Sequence, residues 1–174
     1  GINTTDTNDI KDFAGRLVFS PFKGSKGVLA GLSAGGAFWT GSQRQTTFDS
    51  TSVAGNVNRY AGLLAYTYER LKLQGEYLSQ TLDKVAGGEK KSDGWYLLGV
   101  YDLMKKDYPQ LQLVAKYEEY DPDTDVSNNK QDITTVGLNC FFNKAVKIMV
   151  NYRIKNETPK VSNDQILVQL QYKF

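Results

Sequence analysis

Apolar and polar residues alternate along most of this chain, and this feature limits its fold more than any other. In the final segment, one set of alternate positions is apolar and ends in two aromatic residues: Ile166, Val168, Leu170, Tyr172 and Phe174. The positions between them hold Gln or Lys, apart from Leu167. Because successive side chains of a β-strand point to opposite faces, a period of two predicts strands with one apolar and one polar face.

The alternation recurs throughout the chain and predicts an all-β fold. Clear copies cover residues 71–77, 95–103, 111–117, 134–142 and 146–154, and less regular ones cover 13–22, 27–40 and 60–69. Together they predict about nine strands of roughly ten residues, the length that a tilted membrane-spanning strand needs. Short turns alternate with long polar loops, which we place at 42–59, 83–93 and 121–131, and with a shorter loop on the same side at 157–163. This alternation of connections is typical of a bacterial outer-membrane β-barrel.

The composition agrees with strands and excludes several classes of protein. Aromatic residues make up 12% of the chain and only 4 residues are Pro, which suits pleated sheets. The net charge of +2 is too small to imply a nucleic-acid partner. A single cysteine and no histidine exclude an internal disulfide and a Cys/His metal cluster. We predict one barrel segment over residues 1–174, with a polar N-terminal extension (1–11) and strands from residue 12 onward.

Period two alone does not say which face of a barrel meets water. A soluble binding barrel buries its apolar face inside, whereas a membrane barrel turns that face toward lipid. Large aromatic residues here sit near strand ends, as in Trp95, Tyr101, Tyr152 and Tyr172. Aromatic belts at the two bilayer interfaces explain that placement, so we favour a transmembrane antiparallel β-barrel in contact with the lipid bilayer.

Basic residues on the polar face are the main candidates for function. By strand parity, seven cations share that face: Arg16, Lys72, Lys116, Lys147, Arg153, Lys155 and Lys173. A wall of this kind attracts small anions into a pore. The alternative is that these charges only solvate a wide lumen, where Asp102, Glu76 and Glu118 offset them.

The sequence offers little support for a metal site or a catalytic site. Asp121, Asp123 and Asp125 occupy alternate positions of a loop, as in calcium-binding loops, but Val126 stands where the sharp turn needs glycine. We therefore interpret this segment as an acidic loop, and predict no metal and no cofactor. Without histidine, a Ser-His-Asp arrangement is excluded. The adjacent Glu118 and Glu119 point to opposite faces of a strand, so we predict that the protein is not an enzyme.

Specific stretches resemble a known family. The alternating segment ending in Tyr172 and Phe174 resembles the carboxy-terminal signature by which outer-membrane proteins are recognised for assembly. Residues 12–22, 112–122 and 132–151 resemble the phosphate-selective porin O/P family, in its C-terminal half. The resemblance implies a bacterial outer-membrane porin, a trimer of barrels with about sixteen strands each, and passive diffusion of small hydrophilic solutes with a preference for anions or phosphate. The family's constricting loop and most of its basic ladder have no counterpart here.

The odd strand count leaves alternatives open. Bacterial single-chain barrels have even numbers of strands, so nine strands leave an unpaired edge. Upstream strands or further copies of the chain could complete the barrel. A count wrong by one would instead allow a small closed barrel that is plugged by its own side chains, with a role in adhesion or envelope structure.

Overall fold

In the computed structural model, which describes residues 11–46, 52–84, 87–104 and 108–174, the chain forms one antiparallel sheet of nine strands. The strands follow one another in chain order: β1 (Phe13–Phe19), β2 (Leu32–Thr46), β3 (Ser52–Tyr68), β4 (Leu71–Asp83), β5 (Glu89–Met104), β6 (Gln110–Asp121), β7 (Gln131–Phe141), β8 (Val146–Asn156) and β9 (Gln165–Tyr172). A single 3-10 turn (Val28–Gly31) precedes β2. The prediction of an all-β antiparallel fold is confirmed.

Among the residues that the structure describes, each strand pairs only with its neighbours in the sequence. Within the described ranges, β1 and β9 are each hydrogen-bonded on one side only, so the sheet is open between them. No helix in the described parts of the chain is long and apolar enough to cross a membrane. The polar extension predicted for residues 1–11 lies, except for Lys11, outside the described residues.

The strand register keeps the apolar side chains on one face of the whole sheet. Residues that oppose each other across two strands share a face. Leu113 lies opposite Leu138, Leu138 opposite Val150, and Val150 opposite Val168. We call this the outer face and the opposite one the inner face. In β8, outer-face Val150 and Tyr152 are more exposed than inner-face Met149 and Arg153.

Aromatic residues border the outer face at both ends of the strands. We call these ends the loop end and the turn end, after their connections. The loop-end belt consists of Phe38, Tyr60, Tyr77, Trp95, Tyr117 and Tyr152, and the turn-end belt of Phe19, Tyr66, Tyr68, Tyr101 and Tyr172. The hydroxyls of Tyr77 and Tyr152 donate to Asp93 and Asp164, each at 3.0 Å, so these rings point their polar ends out of the apolar band. Bilayer interfaces favour this arrangement.

The loop boundaries differ from the predicted ones at the β2–β3 hairpin. We predicted a loop over 42–59, but Ser42 pairs with Asn56 and Thr46 with Ser52, so both strands continue past that point. The loop predicted over 83–93 is also shorter, because Asp83 pairs with Glu89. These extensions lie past the loop-end belt, where residues 42–46 are all polar and alternation no longer marks a strand. The β6–β7 loop has the predicted position between Asp121 and Gln131.

The turns at the turn end are short because individual residues within them favour a reversal of the chain. The β3–β4 turn contains Glu69, whose φ of 50° allows two residues to reverse the chain. In the β7–β8 turn, the Asn143 side chain accepts hydrogen bonds from the backbone N–H groups of Ala145 (2.8 Å) and Val146 (2.9 Å). Asn favours turns because its side chain can satisfy backbone donors two or three residues ahead.

Candidate functional site

The seven basic residues singled out from the sequence do not form a single cluster. Arg16 lies on β1, Lys72 on β4, Lys116 on β6, and Lys147, Arg153 and Lys155 on β8. The register places these six on the inner face, at positions that alternate with outer-face apolar residues. Lys173 follows β9 directly, and its backbone N–H donates to the carbonyl oxygen of Ala145 at 2.8 Å. The seven residues differ in whether a carboxylate lies close enough to offset their charge.

Lys72 lies near a buried carboxylate. Its Nζ is 3.9 Å from Asp102, a residue that is only 4% exposed. Asp102 also accepts a hydrogen bond from the Gln112 side-chain amide at 2.7 Å, and Asn139 donates to Gln112 at 3.3 Å. A register shift in the β5–β6 pairing between Asp102 and Met104 accompanies this contact. The carboxylate offsets much of the Lys72 charge on the inner face.

Lys116 is paired more closely. Its Nζ lies 3.0 Å from a Glu118 oxygen and 4.6 Å from the centre of the Tyr96 ring. The Tyr96 hydroxyl in turn donates to Glu76 at 3.0 Å. This network contains two carboxylates and one cation, so this part of the wall carries no excess positive charge.

Arg153 and Lys155 differ from these two lysines. They are two positions apart on the inner face of β8, where Arg153 opposes Thr135 and Gln165, and Lys155 opposes Ile133. Over the described residues, neither side chain has an ion pair, and β7, β8 and β9 bring no carboxylate to the inner face. This pair is therefore the strongest uncompensated charge on the inner face of these strands.

The third member of the predicted β8 cluster lies apart from that pair. Lys147 precedes Arg153 by six residues, which separates the two by about 20 Å along the strand. It lies near the turn end, with its Nζ 5.4 Å from the centre of the Phe141 ring. The sequence pattern correctly indicated a shared face but not this separation.

The sequence analysis missed Arg59, which the register places on the inner face. The guanidinium of Arg59 lies 4.5 Å from the centre of the Trp39 ring, and its Nε donates to Gln80 at 2.7 Å. Arg59 lies at the end of the loop predicted over 42–59, where strand parity does not assign a face. The pairing of Trp39 with Arg59 on β2 and β3 was the missing information.

The acidic β6–β7 loop uses its carboxylates to hold its own backbone. Asp121 accepts from the N–H of Asp123 at 3.1 Å, and Asp123 accepts from that of Asp125 at 3.3 Å. Lys130 is 3.0 Å from Glu119, and this hydrogen bond is the main reason that the pKa of Lys130 lies above its usual value. In the described portion of the chain, no three Cys, Asp or Glu side chains are grouped so that they could hold a metal.

The predicted assembly signal lies at the open edge of the sheet. Tyr172 ends β9 opposite Val146, and Phe174 follows it with the two ring centres 6.4 Å apart. Both side chains are exposed. The aromatic end of the chain therefore remains accessible beside a strand that pairs on one side.

A meander of strands whose outer face is apolar and bordered by aromatic belts, and whose inner face carries most of the strands' charged side chains, forms the wall of a transmembrane β-barrel. The chain belongs to the family of phosphate-selective porins O and P, whose model matches residues 1–174. This confirms the resemblance noted in the sequence. Proteins of this family lie in the bacterial outer membrane and are not enzymes, and both statements hold for this chain.

The chain is also similar to a protein of Aquifex aeolicus. An uncharacterized protein of Aquifex aeolicus (strain VF5) is 32% identical to it over 109 residues, which are 60% of this chain and 25% of that protein. The chain thus spans far less than the full length of this relative. No solved structure matches the chain significantly.

Proposed function

We propose that this chain forms part of the wall of a water-filled pore through which small hydrophilic solutes diffuse passively, anions in preference to cations. The observation that carries the preference is the pair Arg153 and Lys155, which face inward without an ion pair within the described residues. Fixed positive charges on a pore wall raise the local concentration of anions and lower that of cations. Their influence extends about 8–10 Å at physiological salt, a distance comparable with a narrow pore.

The family description supports a narrower form of this proposal. Its members are phosphate-selective porins, and two cations on one strand match the charge of phosphate well. Phosphate is therefore the first physiological anion to test. We also propose that the complete protein assembles as a homotrimer of barrels, as the family resemblance implies.

The β8 pair provides the main test. In the full-length protein, Arg153→Gln combined with Lys155→Gln should reduce the ratio of chloride to potassium permeability on the order of threefold, because the uncompensated charge is removed. The measurement is the reversal potential of a single channel in a planar bilayer under a potassium chloride gradient. The matched control is Lys23→Gln with Lys144→Gln, which removes the same charge from two exposed turn-end positions.

The outcomes are distinct. An unchanged reversal potential in the β8 variant would exclude this pair as the origin of anion preference. A cation-preferring parent protein would contradict the proposed selectivity as a whole. A folded full-length protein that gives no current steps would instead favour the plugged barrel with an adhesive or structural role.

The charge pairing near the turn end gives an independent prediction. Asp102→Asn keeps the shape of the side chain and its acceptor for Gln112, but removes the charge that offsets Lys72. We expect anion preference to increase, and the free energy of unfolding to fall by about 1–2 kcal/mol because a charge-assisted hydrogen bond is weakened. Reversal potentials and equilibrium unfolding measure the two effects. Asp102→Asn combined with Lys72→Gln should return the selectivity toward that of the parent, and a failure to return would show that Lys72 is not the cation involved.

A further inference from the structure

A trough on the inner face near the loop end has a different chemistry from the charged wall of β8. It has a volume of about 420 Å³ and is lined mainly by inner-face side chains of β2 to β6. Its floor is the backbone of one cross-strand row, Phe38, Tyr60, Ser79 and Asp93, whose side chains point to the outer face. Because the floor is sheet backbone, its shape is fixed by the strand register.

The two walls of the trough have different polarity. The wall on the turn-end side consists of small or apolar residues in register: Ala37, Ala61, Leu78 and Gly94. The wall on the loop-end side is a second row that carries an aromatic ring, a cation and two polar groups: Trp39, Arg59, Gln80 and Ser92. The trough therefore presents an apolar surface along one side and hydrogen-bonding groups along the other.

The apolar side is exposed although it faces the pore. Leu78 is 47% exposed and Tyr120, which opposes Gly94 and ends the trough, is 50% exposed. Exposed apolar side chains that line one concave surface favour a binding site, whereas exposed apolar residues scattered singly do not, and both Leu78 and Tyr120 line this trough. Gly94 keeps this end open: a Cβ there would lie 3.1 Å from the Glu119 carbonyl oxygen and 3.4 Å from the Tyr120 ring.

Arg59 supplies a cation that is held in position. Its guanidinium stacks on Trp39 at 4.5 Å and its Nε donates to Gln80 at 2.7 Å. A guanidinium held on two sides loses little further freedom when an anion arrives, which favours binding. A second cation, Arg16, opposes Ala37 on the neighbouring strand β1. Positive charge thus lies beside both the aromatic ring and the apolar wall of the trough.

We propose that this trough binds small organic anions that combine a flat apolar body with a carboxylate. The apolar body lies against Leu78, Tyr120 and the Trp39 ring, and the carboxylate is held by Arg59. The volume falls within the range of small-molecule sites, about 300–1,000 Å³. This proposal rests on the pore function above and specifies a class of solute that the charged residues of β8 do not distinguish. Arg153 and Lys155 act on charge alone, whereas the trough discriminates among anions by their apolar part.

The test compares benzoate with acetate, which share a carboxylate but differ in the ring. Saturation-transfer NMR on the full-length protein in detergent measures binding without requiring ion flow. We expect benzoate to bind and acetate to show no detectable binding. Trp39→Ala should raise the dissociation constant for benzoate about tenfold, since stacking on an aromatic ring is lost, and Arg59→Gln should do so to a similar extent. Trp39→Phe should retain most of the affinity.

A control variant distinguishes a loss of benzoate binding from a loss of folding. Tyr66→Leu removes an aromatic ring from the same hairpin, but on the outer face and away from the residues that line the trough, and should leave benzoate binding unchanged. Equal signals from benzoate and acetate, or equal benzoate affinity in the parent and in Trp39→Ala, would overturn the proposal. So would absent benzoate binding in the folded parent, which is the result expected if another segment of the protein fills the trough.

Channel measurements on the same variants separate the two proposals. Ion-selective current steps without benzoate binding would leave the pore function standing and reject the trough as an anion site. Benzoate binding that is lost in Trp39→Ala, in a protein without current steps, would support the site and reject the pore function.

Discussion

Replacing Val150 with arginine should lower the free energy of unfolding by about 2–4 kcal/mol, whereas the same replacement at the adjacent Met149 should lower it by less than about 1 kcal/mol. Val150 is exposed on the outer face, midway between the aromatic belts, where a lipid-facing charge has no water to solvate it. Met149 faces inward between Asn139 and Gln169, which accommodate a cation beside water.

The two substitutions form a matched pair, because they add the same side chain to neighbouring positions of β8. The measurement is reversible unfolding of the full-length protein in phospholipid vesicles, with urea or guanidinium as denaturant. Val150→Leu serves as the control for a change of volume without charge. A larger loss at Met149 than at Val150 would show that the apolar face points into the barrel and that the sheet belongs to a soluble binding barrel.

Replacing Tyr172 and Phe174 together with serine should remove most of the folded protein from the outer membrane. Both aromatic side chains are exposed at the end of β9, whose other edge makes no pairing in the described structure. An assembly receptor can bind such an edge by adding it to its own sheet, with alternate side chains entering pockets. Removing the aromatic side chains eliminates the part of this recognition that depends on the residue type.

Membrane fractionation of cells expressing the full-length variant measures this loss. Gln171→Ser alters the same strand on its inner face and should leave the outer-membrane level near that of the parent. Tyr172→Phe should also assemble, because it retains the ring. A normal outer-membrane level of the double serine variant would show that these two residues are not the assembly signal.

The sequence predicted the strands and their faces but not their ends or their ion pairs. Alternation is reliable where one face meets lipid and the other water, as in β8, because the two environments demand opposite side chains. Past the loop-end belt residues 42–46 are all polar, so the hairpin around Ser42 and Asn56 lacks the alternation and its sequence predicts a loop. The pairing of Lys72 with Asp102 depends on the register between β4 and β5, which a linear pattern does not contain.

The trough was missed for a related reason. Trp39 and Arg59 lie twenty residues apart in the sequence and meet only because β2 and β3 pair in this register. Leu78 and Tyr120 break the expected polar character of the inner face, and each alone resembles an imperfection in the pattern. Only the sheet shows that these exceptions adjoin one another.

The strands pair in the order in which they follow one another in the chain, and this order affects how the sheet folds. Every pairing in the described structure joins sequence neighbours, so contact order stays low however many strands are added. Each hairpin requires the closure of one connecting loop, and the entropy lost on closing it does not depend on the strands already present. The sheet can therefore grow one hairpin at a time from any starting point, and no strand has to be threaded between two that have already paired.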